Sequence, residues 1–150
     1  MRAEVDSPVG TLTLTAADGA ITAVDWGRVP TSDTAPVFDQ ARAELAAYFA
    51  RDLTAFTLPL APGGSAFQQQ FYAALCAIPH GETRSYGDLA ADLGVSAQAI
   101  GQACGANPIP IFIPCHRVLG AGGLGGYSGA GGVETKIALL KLEGAASLLI

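Results

Sequence analysis

Residues 3–27 alternate apolar and polar positions between two turn signals. The run AEVDSPVGTLTLTAADGAITAVDWG contains the turn-forming sequences Pro8-Val9-Gly10 and Asp18-Gly19. Alternation with a period of two residues is typical of half-buried strands, and glycine-containing turns join antiparallel neighbours. The pattern predicts three short antiparallel strands at the start of the chain.

A helical period follows in residues 36–50, PVFDQARAELAAYFA, where Pro36 suits the first turn of a helix. Its predicted apolar face comprises Phe38, Ala41, Leu45, Tyr48 and Phe49. We expect this helix to pack on the sheet. Prolines and glycines then concentrate in residues 57–66, TLPLAPGGSA, which is the composition of a linker. We therefore predict an N-terminal structural domain over residues 1–64 and a second domain over residues 65–150.

Three serines of the second domain can cap helices. Ser65 precedes a predicted helix that runs to about Ile78, Ser85 precedes YGDLAADL, and Ser96 precedes AQAIGQACGA. An aspartate three residues after Ser85 completes a capping box, and Asn107-Pro108 ends the third helix. The second and third helices, joined by a tight turn, have the layout of a helix-turn-helix.

An apolar stretch and a glycine-rich loop occupy residues 109–132. Residues 135–143, TKIALLKLE, predict a last helix that ends before Gly144. The second domain is therefore predicted to be a winged helix-turn-helix with a modified wing. The predicted fold class is α+β, with a small N-terminal antiparallel sheet and helix followed by this C-terminal domain.

Amino-acid composition limits the cellular location expected for the protein and the chemistry expected of its cysteines. The chain has 150 residues and is 50% hydrophobic, enough for one sizeable core or two small subdomains. It contains no run of the ~20 apolar residues that cross a membrane, and Glu4 and Asp6 behind Arg2 are unlike a signal peptide. We expect a cytoplasmic protein with no membrane association. The three cysteines form no CxxC pair and only two histidines could supplement them, so we expect neither a disulfide framework nor a metal site.

The net charge of −5 argues mildly against non-specific binding of nucleic acid. The charge is uneven, because residues 1–64 hold four basic and eight acidic residues, whereas residues 65–150 hold four and five. If DNA is a partner, we expect the second half to carry the contact surface, with a weak or salt-sensitive grip.

Cys115 lies in IPIFIPCHRVLGAGG, where a cysteine can fill a core or react. Pro114 prevents ordinary strand continuation and favours a bend that presents the thiol. A nucleophilic thiol needs a base, and His116 is the available imidazole. Glu143, at the end of the last helix, is a candidate to orient that imidazole. Arg117 has two interpretations, a phosphate contact or a brace that bonds backbone carbonyls, and we favour the brace.

The third helix of the second domain has small side chains on its predicted recognition face, namely Ser96, Ala97, Gln98, Ala99 and Gly101. Such a face offers few hydrogen bonds to base edges. It suits either close helix packing or sequence-independent contact with DNA, and the segment alone favours packing. Cys76 is expected in the core, Cys104 in the core or in helix packing, and His80 in a solvated turn.

Three segments together carry a family resemblance: GETRSYGDLA, AIGQACGANPIPIFIPCHRVLGAGGLGGYSG and KIALLKLEG. They closely resemble the O6-alkylguanine-DNA alkyltransferases. The resemblance is strongest across residues 65–144 and extends more loosely to the N-terminal strands, which in this family belong to a ribonuclease H-like domain. The PCHR motif, with Asn-Pro upstream and Tyr-Ser-Gly downstream, is highly specific in combination.

The resemblance implies direct, single-turnover DNA repair. A guanine alkylated at O6 is flipped out of double-stranded DNA, and the Cys115 thiolate takes the alkyl group without any cofactor. His116 would be the base, acting through a water in this family, and Glu143 would orient it. Asn107 would brace the helix-turn-helix against the active-site strand, and Tyr86 would crowd the flipped nucleotide and donate toward the base. A monomer is implied.

The resemblance also implies a substrate pocket. The backbone at Cys115, Val118 and Ser128 would read the guanine edge, and Tyr127 would form a wall. The small-residue helix would lie in the minor groove, which favours DNA contact over packing. Two departures stand out. Gln98 occupies the position of the family's intercalating arginine, and the segment between Ser128 and Lys136 is longer than in the family pattern.

Three other functions are consistent with parts of the sequence. A lesion-binding relative that does not accept the alkyl group would lack the acceptor cysteine, which is present here. A winged-helix transcriptional regulator fits poorly with an almost uncharged recognition helix. A cysteine hydrolase would use the same Cys115 and His116 to form an acyl-enzyme, and it would regenerate its thiol.

Overall fold

The computed structural model describes residues 1–29, 32–120, 123–125, 127 and 131–145. The chain divides into two compact units, Met1–Gly63 and the residues from Gly64 onwards. No helix among the described residues is long and apolar enough to cross a membrane.

The first unit is a sheet of three antiparallel strands with one helix. The strands are β1 (Arg2–Ser7), β2 (Gly10–Ala17) and β3 (Ala20–Trp26), in the order β1-β2-β3. Glycines with positive φ at 10 and 19 make the two connecting turns, where a side chain would strain the backbone. A bulge at Thr15/Ala16 shifts the register of β2 against β3. The alternation of the sequence is therefore realised as three paired strands.

Helix α1 (Pro36–Phe49) supplies the helical part of this core. Pro36 occupies the first turn, where its missing N–H is not needed. The buried residues of the helix are Val37, Phe38, Ala41, Leu45 and Tyr48. Part of the predicted linker also belongs to this unit, because Leu60 forms a parallel bridge with Ile21 of β3. Those residues satisfy backbone groups at the edge of the sheet, which the linker composition does not reveal.

The second unit contains four helices among its described residues: α2 (Ala66–Cys76), α3 (Tyr86–Leu93), α4 (Ala97–Gly105) and α5 (Val133–Leu142). Ser65 and Ser85 form capping boxes with Gln68 and Asp88, and the Ser96 hydroxyl accepts from the Ala99 N–H. These bonds satisfy N–H groups that a helix start leaves unpaired. Gly94, with a left-handed backbone, ends α3 before the turn into α4.

A short parallel pair completes the second unit. Strand β4 (Arg84–Ser85) precedes α3 and pairs with β5 (Val118–Leu119), which follows a 3₁₀ turn over Cys115–Arg117. This pairing places the start of α3 beside the segment that leaves the cysteine. The helix-turn-helix pair and the Cys-His-Arg turn therefore share one compact unit.

Candidate active site

The apolar stretch before Cys115 is a buried turn, so the predicted strand is wrong. The Ile113 N–H donates to the Ile109 carbonyl at 2.9 Å, and Ile111 has a φ of +73°. The Cys115 N–H donates to the Ile113 carbonyl at 2.8 Å. Prolines at 108, 110 and 114 remove three backbone donors from this stretch, which makes sheet pairing unfavourable. The result is a compact turn that delivers Cys115 to the interior.

Asn107 holds this turn at the end of α4. Its side-chain nitrogen donates to the Ile113 carbonyl at 2.9 Å, and its side-chain oxygen accepts from the Ile109 N–H at 3.0 Å. Both bonds are buried, where an amide hydrogen bond is costly to lose. Asn107 therefore braces helix α4 against a turn, where a strand was expected.

Cys115 is almost fully buried, with 5% of its surface exposed. Burial raises the pKa of its thiol, whereas a hydrogen bond from the Asn107 side chain and the charge of Lys136 act to lower it. Burial likewise raises the pKa of the Cys104 thiol, to about 12. Among the cysteines, Cys115 is thus the buried thiol with both a donor and a cation to support its thiolate.

His116 is fully buried and bonded to Glu143. Its Nε2 lies 2.8 Å from a carboxylate oxygen of Glu143, and its Nδ1 is buried with no hydrogen-bond partner among the described residues. A carboxylate only accepts hydrogen bonds, so Nε2 carries the proton and Nδ1 presents a lone pair. Burial lowers the pKa of His116, although the bond to Glu143 opposes this shift. The imidazole is consequently arranged as a neutral base.

Arg117 also binds the carboxylate of Glu143, at both of its oxygens. Its Nε and Nη2 donate to the two oxygens of Glu143 at 2.8 and 3.0 Å, and Nη1 donates to the Ile78 carbonyl at 2.7 Å. The guanidinium is buried, so the structure favours the brace over the phosphate contact. Gly81, with positive φ, packs against the same helix end, where a Cβ would lie 3.1 Å from the Glu143 carbonyl oxygen.

Lys136 is a buried residue whose position the sequence pattern did not predict. Its side chain is 0% exposed, and Nζ donates to the carbonyls of Val118 and Leu124 at 2.7 and 2.5 Å. Nζ also lies 5.9 Å from the centroid of the Tyr86 ring. A signal was present, because Lys136, Leu140 and Glu143 are spaced as i, i+4 and i+7 on one helical face.

Tyr86 and the glycine loop meet in the same region. Gly125 approaches the tyrosine so closely that a Cβ would lie 2.8 Å from its ring. Val118 is buried, Tyr127 is half-buried, and burial raises the pKa of the Tyr127 hydroxyl. Ser128 lies outside the described residues. Tyr86, Gly125 and Lys136 therefore lie together, and Lys136 also contacts Val118.

The predicted DNA-contact residues form a different surface. Ser96, Ala97, Gln98 and Gly101 of the α4 segment are exposed, and Ala99 is half-buried.

The other two cysteines differ in exposure. Cys104 is half-buried, whereas Cys76 is exposed at the end of α2, so the expected core position of Cys76 is wrong. The apolar spacing of α2 continues through Leu75, and Cys76 falls one position beyond that face.

The second unit combines a helix-turn-helix pair, a layout found in DNA-binding proteins, with a buried cysteine whose sequence neighbour is an oriented imidazole. No group of three metal-ligating side chains occurs in the described part of the chain. Comparison with family models gives two matches. The DNA-binding domain of 6-O-methylguanine DNA methyltransferase matches residues 66–145, and the ribonuclease-like domain of the same proteins matches residues 2–62. The chain belongs to the 6-O-methylguanine DNA methyltransferase family.

Individual relatives agree with this assignment. A methylated-DNA–protein-cysteine methyltransferase of Mycolicibacterium paratuberculosis is 46% identical, over 93% of this chain and 89% of its own. One from Methanosarcina acetivorans is 41% identical, over 93% and 95%. The crystal structure of Mycobacterium tuberculosis OGT in complex with DNA matches with a TM-score of 0.85 and 43% identity, covering 97% and 93% of the two chains. These comparisons confirm the predicted family and the predicted fold class.

Proposed function

We propose that this chain repairs DNA directly, by moving a methyl or other alkyl group from O6 of guanine to Cys115. The observation that carries the proposal is the buried Cys115–His116–Glu143 arrangement within the unit that matches the DNA-binding family model. Relatives named methylated-DNA–protein-cysteine methyltransferase support the same chemistry.

The first step is activation of the thiol. The S–H proton of Cys115 moves to Nδ1 of His116, directly or through one water, and leaves a thiolate. The resulting imidazolium is stabilised by Glu143, whose carboxylate is held in place by Arg117. The raised pKa of Cys115 makes this base necessary, because an isolated thiol in that position would stay protonated.

The second step is displacement at the alkyl carbon. The thiolate sulfur forms a bond to that carbon while the carbon–O6 bond breaks, and the electron pair leaves with guanine. The proton taken from the thiol returns to a ring nitrogen of the guanine, so the net reaction converts thiol and O6-alkylguanine to thioether and guanine. A polarizable thiolate needs no cofactor for this reaction, and its thioether has no easy leaving group. Each chain therefore reacts once.

We assign the pocket roles as follows. Tyr86 crowds the flipped nucleotide and donates toward the base, Tyr127 forms a wall, and the backbone at Val118 and Ser128 reads the guanine edge. Lys136 supports this arrangement, since its bonds to the Val118 and Leu124 carbonyls tie β5 to the glycine loop. Flipping costs a few kcal/mol, and least for weakly paired lesions, which favours damaged bases.

The uncharged α4 face is the proposed contact with double-stranded DNA. Ser96, Ala97, Gln98, Ala99 and Gly101 would enter the minor groove, where small residues permit close approach. Gln98 lacks the planar charge of an arginine, so we expect weaker assistance to base extrusion. We also propose that residues 65–150 form the DNA-binding and acceptor domain, with residues 1–64 structural, and that the chain acts as a monomer in the cytoplasm.

The test is peptide mass spectrometry after mixing the protein with a duplex that contains one O6-methylguanine. We expect a 14-Da gain on the peptide that carries Cys115, with none in Cys115→Ser. Cys104→Ser is the matched control and should still gain the methyl group at Cys115. An unmodified protein that binds the lesion would instead identify a lesion-binding protein, and lesion loss without modification would identify a hydrolase.

A further inference from the structure

Half of the positively charged side chains in the second unit are unavailable to a phosphate backbone. The unit contains Arg84, Arg117, Lys136 and Lys141, and all four belong to the described residues. Arg117 and Lys136 are buried and donate to Glu143 or to backbone carbonyls. Only Arg84 and Lys141 therefore remain near the surface of this unit.

The two remaining cations are outweighed by acids. Arg84 forms a 2.5 Å ion pair with Asp92, which reduces its capacity to neutralise a phosphate. Glu143 is the one buried acid among five, which leaves Glu82, Asp88, Asp92 and Glu134 exposed. The exposed charge of the unit is consequently more negative than its formal charge.

The surface proposed to contact DNA has no charge of its own. All nine residues of α4 are described, and its sequence AQAIGQACG contains no ionisable side chain other than the half-buried Cys104. Its exposed side carries Ala97, Gln98, Gly101, Gln102 and Gly105. Contact through this face depends on shape and neutral hydrogen bonds.

From these observations we infer that the chain holds duplex DNA through a nearly non-ionic interface, with at most two phosphate ion pairs. The inference rests on the proposed function, which places DNA on the second unit. Release of condensed cations supplies essentially all non-specific DNA affinity, and its salt slope is about −0.9 for each phosphate neutralised. Affinity should therefore depend weakly on salt, and undamaged duplex should be a poor competitor. The sequence predicted DNA binding that is weak or salt-sensitive. The charge distribution favours binding that is weak and depends little on salt.

The experiment measures the dissociation constant of Cys115→Ser for a duplex with one O6-methylguanine between 50 and 200 mM KCl. With two ion pairs, we expect affinity to fall by no more than about 12-fold over this range. A fall of about 40-fold or more would require at least three cations at phosphates, and would overturn the inference. Methyl transfer by the wild-type protein is measured separately. Absence of transfer would contradict the proposed function, whereas the salt dependence tests only the inference about the DNA interface.

Two matched variants test the location of the contact. Gln98→Arg adds a cation on α4, and we expect it to steepen the salt slope by about 0.9. Gln70→Arg adds the same charge at an exposed position of α2, and it should leave the slope unchanged. Equal steepening by both variants would mean that net charge governs binding, and would contradict α4 as the contact face.

Discussion

The interior behind Cys115 and the outer face of α4 differ sharply in charge, although they belong to one unit of the chain. Behind the cysteine, His116, Arg117, Lys136 and Glu143 are all buried and hydrogen-bonded. The α4 face, in contrast, exposes only small or neutral side chains. In this chain, ionic groups lie behind the thiol that is proposed to react, whereas the surface proposed to contact DNA is uncharged.

The comparison predicts that the interior is far more sensitive to substitution. A buried ion pair that loses one partner leaves an uncompensated charge in a medium where charge is costly. A neutral exposed face loses only local contacts when one side chain changes.

The largest effect is expected for His116→Gln. Loss of the base should lower the single-turnover rate of methyl transfer by about 10²- to 10⁴-fold, the usual contribution of general base catalysis. The rate is measured by quenched-flow with an O6-methylguanine duplex in excess over protein. His80→Gln changes the histidine outside the Glu143 cluster and should retain the rate. A loss smaller than tenfold in His116→Gln would show that another group takes the thiol proton.

The next effect concerns the buried guanidinium. Arg117→Met removes three hydrogen bonds to Glu143 and Ile78. We expect the free energy of unfolding to fall by about 3–5 kcal/mol. Urea denaturation measures the change.

Arg84→Met is the control for this prediction, because Arg84 forms its ion pair at the surface. It should change stability little, since exposed pairs contribute little. Arg117→Lys keeps the charge but loses the two-pronged contact, and should lie between the two. Equal stability of Arg117→Met and the unchanged protein would contradict the bracing role.

A smaller effect is expected from pH. Burial lowers the pKa of His116 below the ordinary 6.5, so the unfolded chain binds this proton more readily than the folded chain. The contribution of neutral His116 to the free energy of unfolding is therefore fully present above about pH 6.5. As the pH falls below that value, the free energy of unfolding decreases by at most about 1.4 kcal/mol per pH unit. Denaturation between pH 7 and pH 5 should show the slope, and His116→Gln should remove this proton's share. If stability depended on pH identically in both proteins, the lowered pKa of His116 would be refuted.

The smallest effect is expected on the α4 face. Gln98→Arg introduces a planar charged group, and we predict a several-fold faster methyl transfer, with the stability of the fold unchanged. Single-turnover kinetics on a fully paired duplex measure it. An unchanged rate would mean that Gln98 assists base extrusion as well as an arginine does.

Local rules account for much of what the sequence predicted. Ser65, Ser85 and Ser96 begin helices as expected, because capping depends on neighbouring residues. The active-site strand that the resemblance implies before Cys115 is wrong, because the prolines of residues 109–114 favour a turn. Lys136 was missed because a lysine in an amphipathic helix usually faces solvent, and the carbonyls that receive it lie 12 and 18 residues away.

The residues of the predicted site also divide into those that local sequence indicates and those that tertiary packing brings together. Cys115 and His116 are sequence neighbours, and Glu143 was a candidate from its place at the end of a helix. The two-pronged bond from Arg117 and its anchor at Ile78 depend on residues 26 and 39 positions apart. Such pairings arise from tertiary packing, which no local pattern in one sequence specifies.

The stoichiometry of methyl transfer tests whether Cys115 accepts one alkyl group per chain. The protein is incubated with a tenfold excess of O6-methylguanine duplex, and lesion loss and intact-protein mass are followed to completion. We predict that lesion loss stops at one equivalent per chain, with one methyl group on Cys115. Continued loss beyond one equivalent, or a stable plateau with the methyl group on another residue, would contradict it.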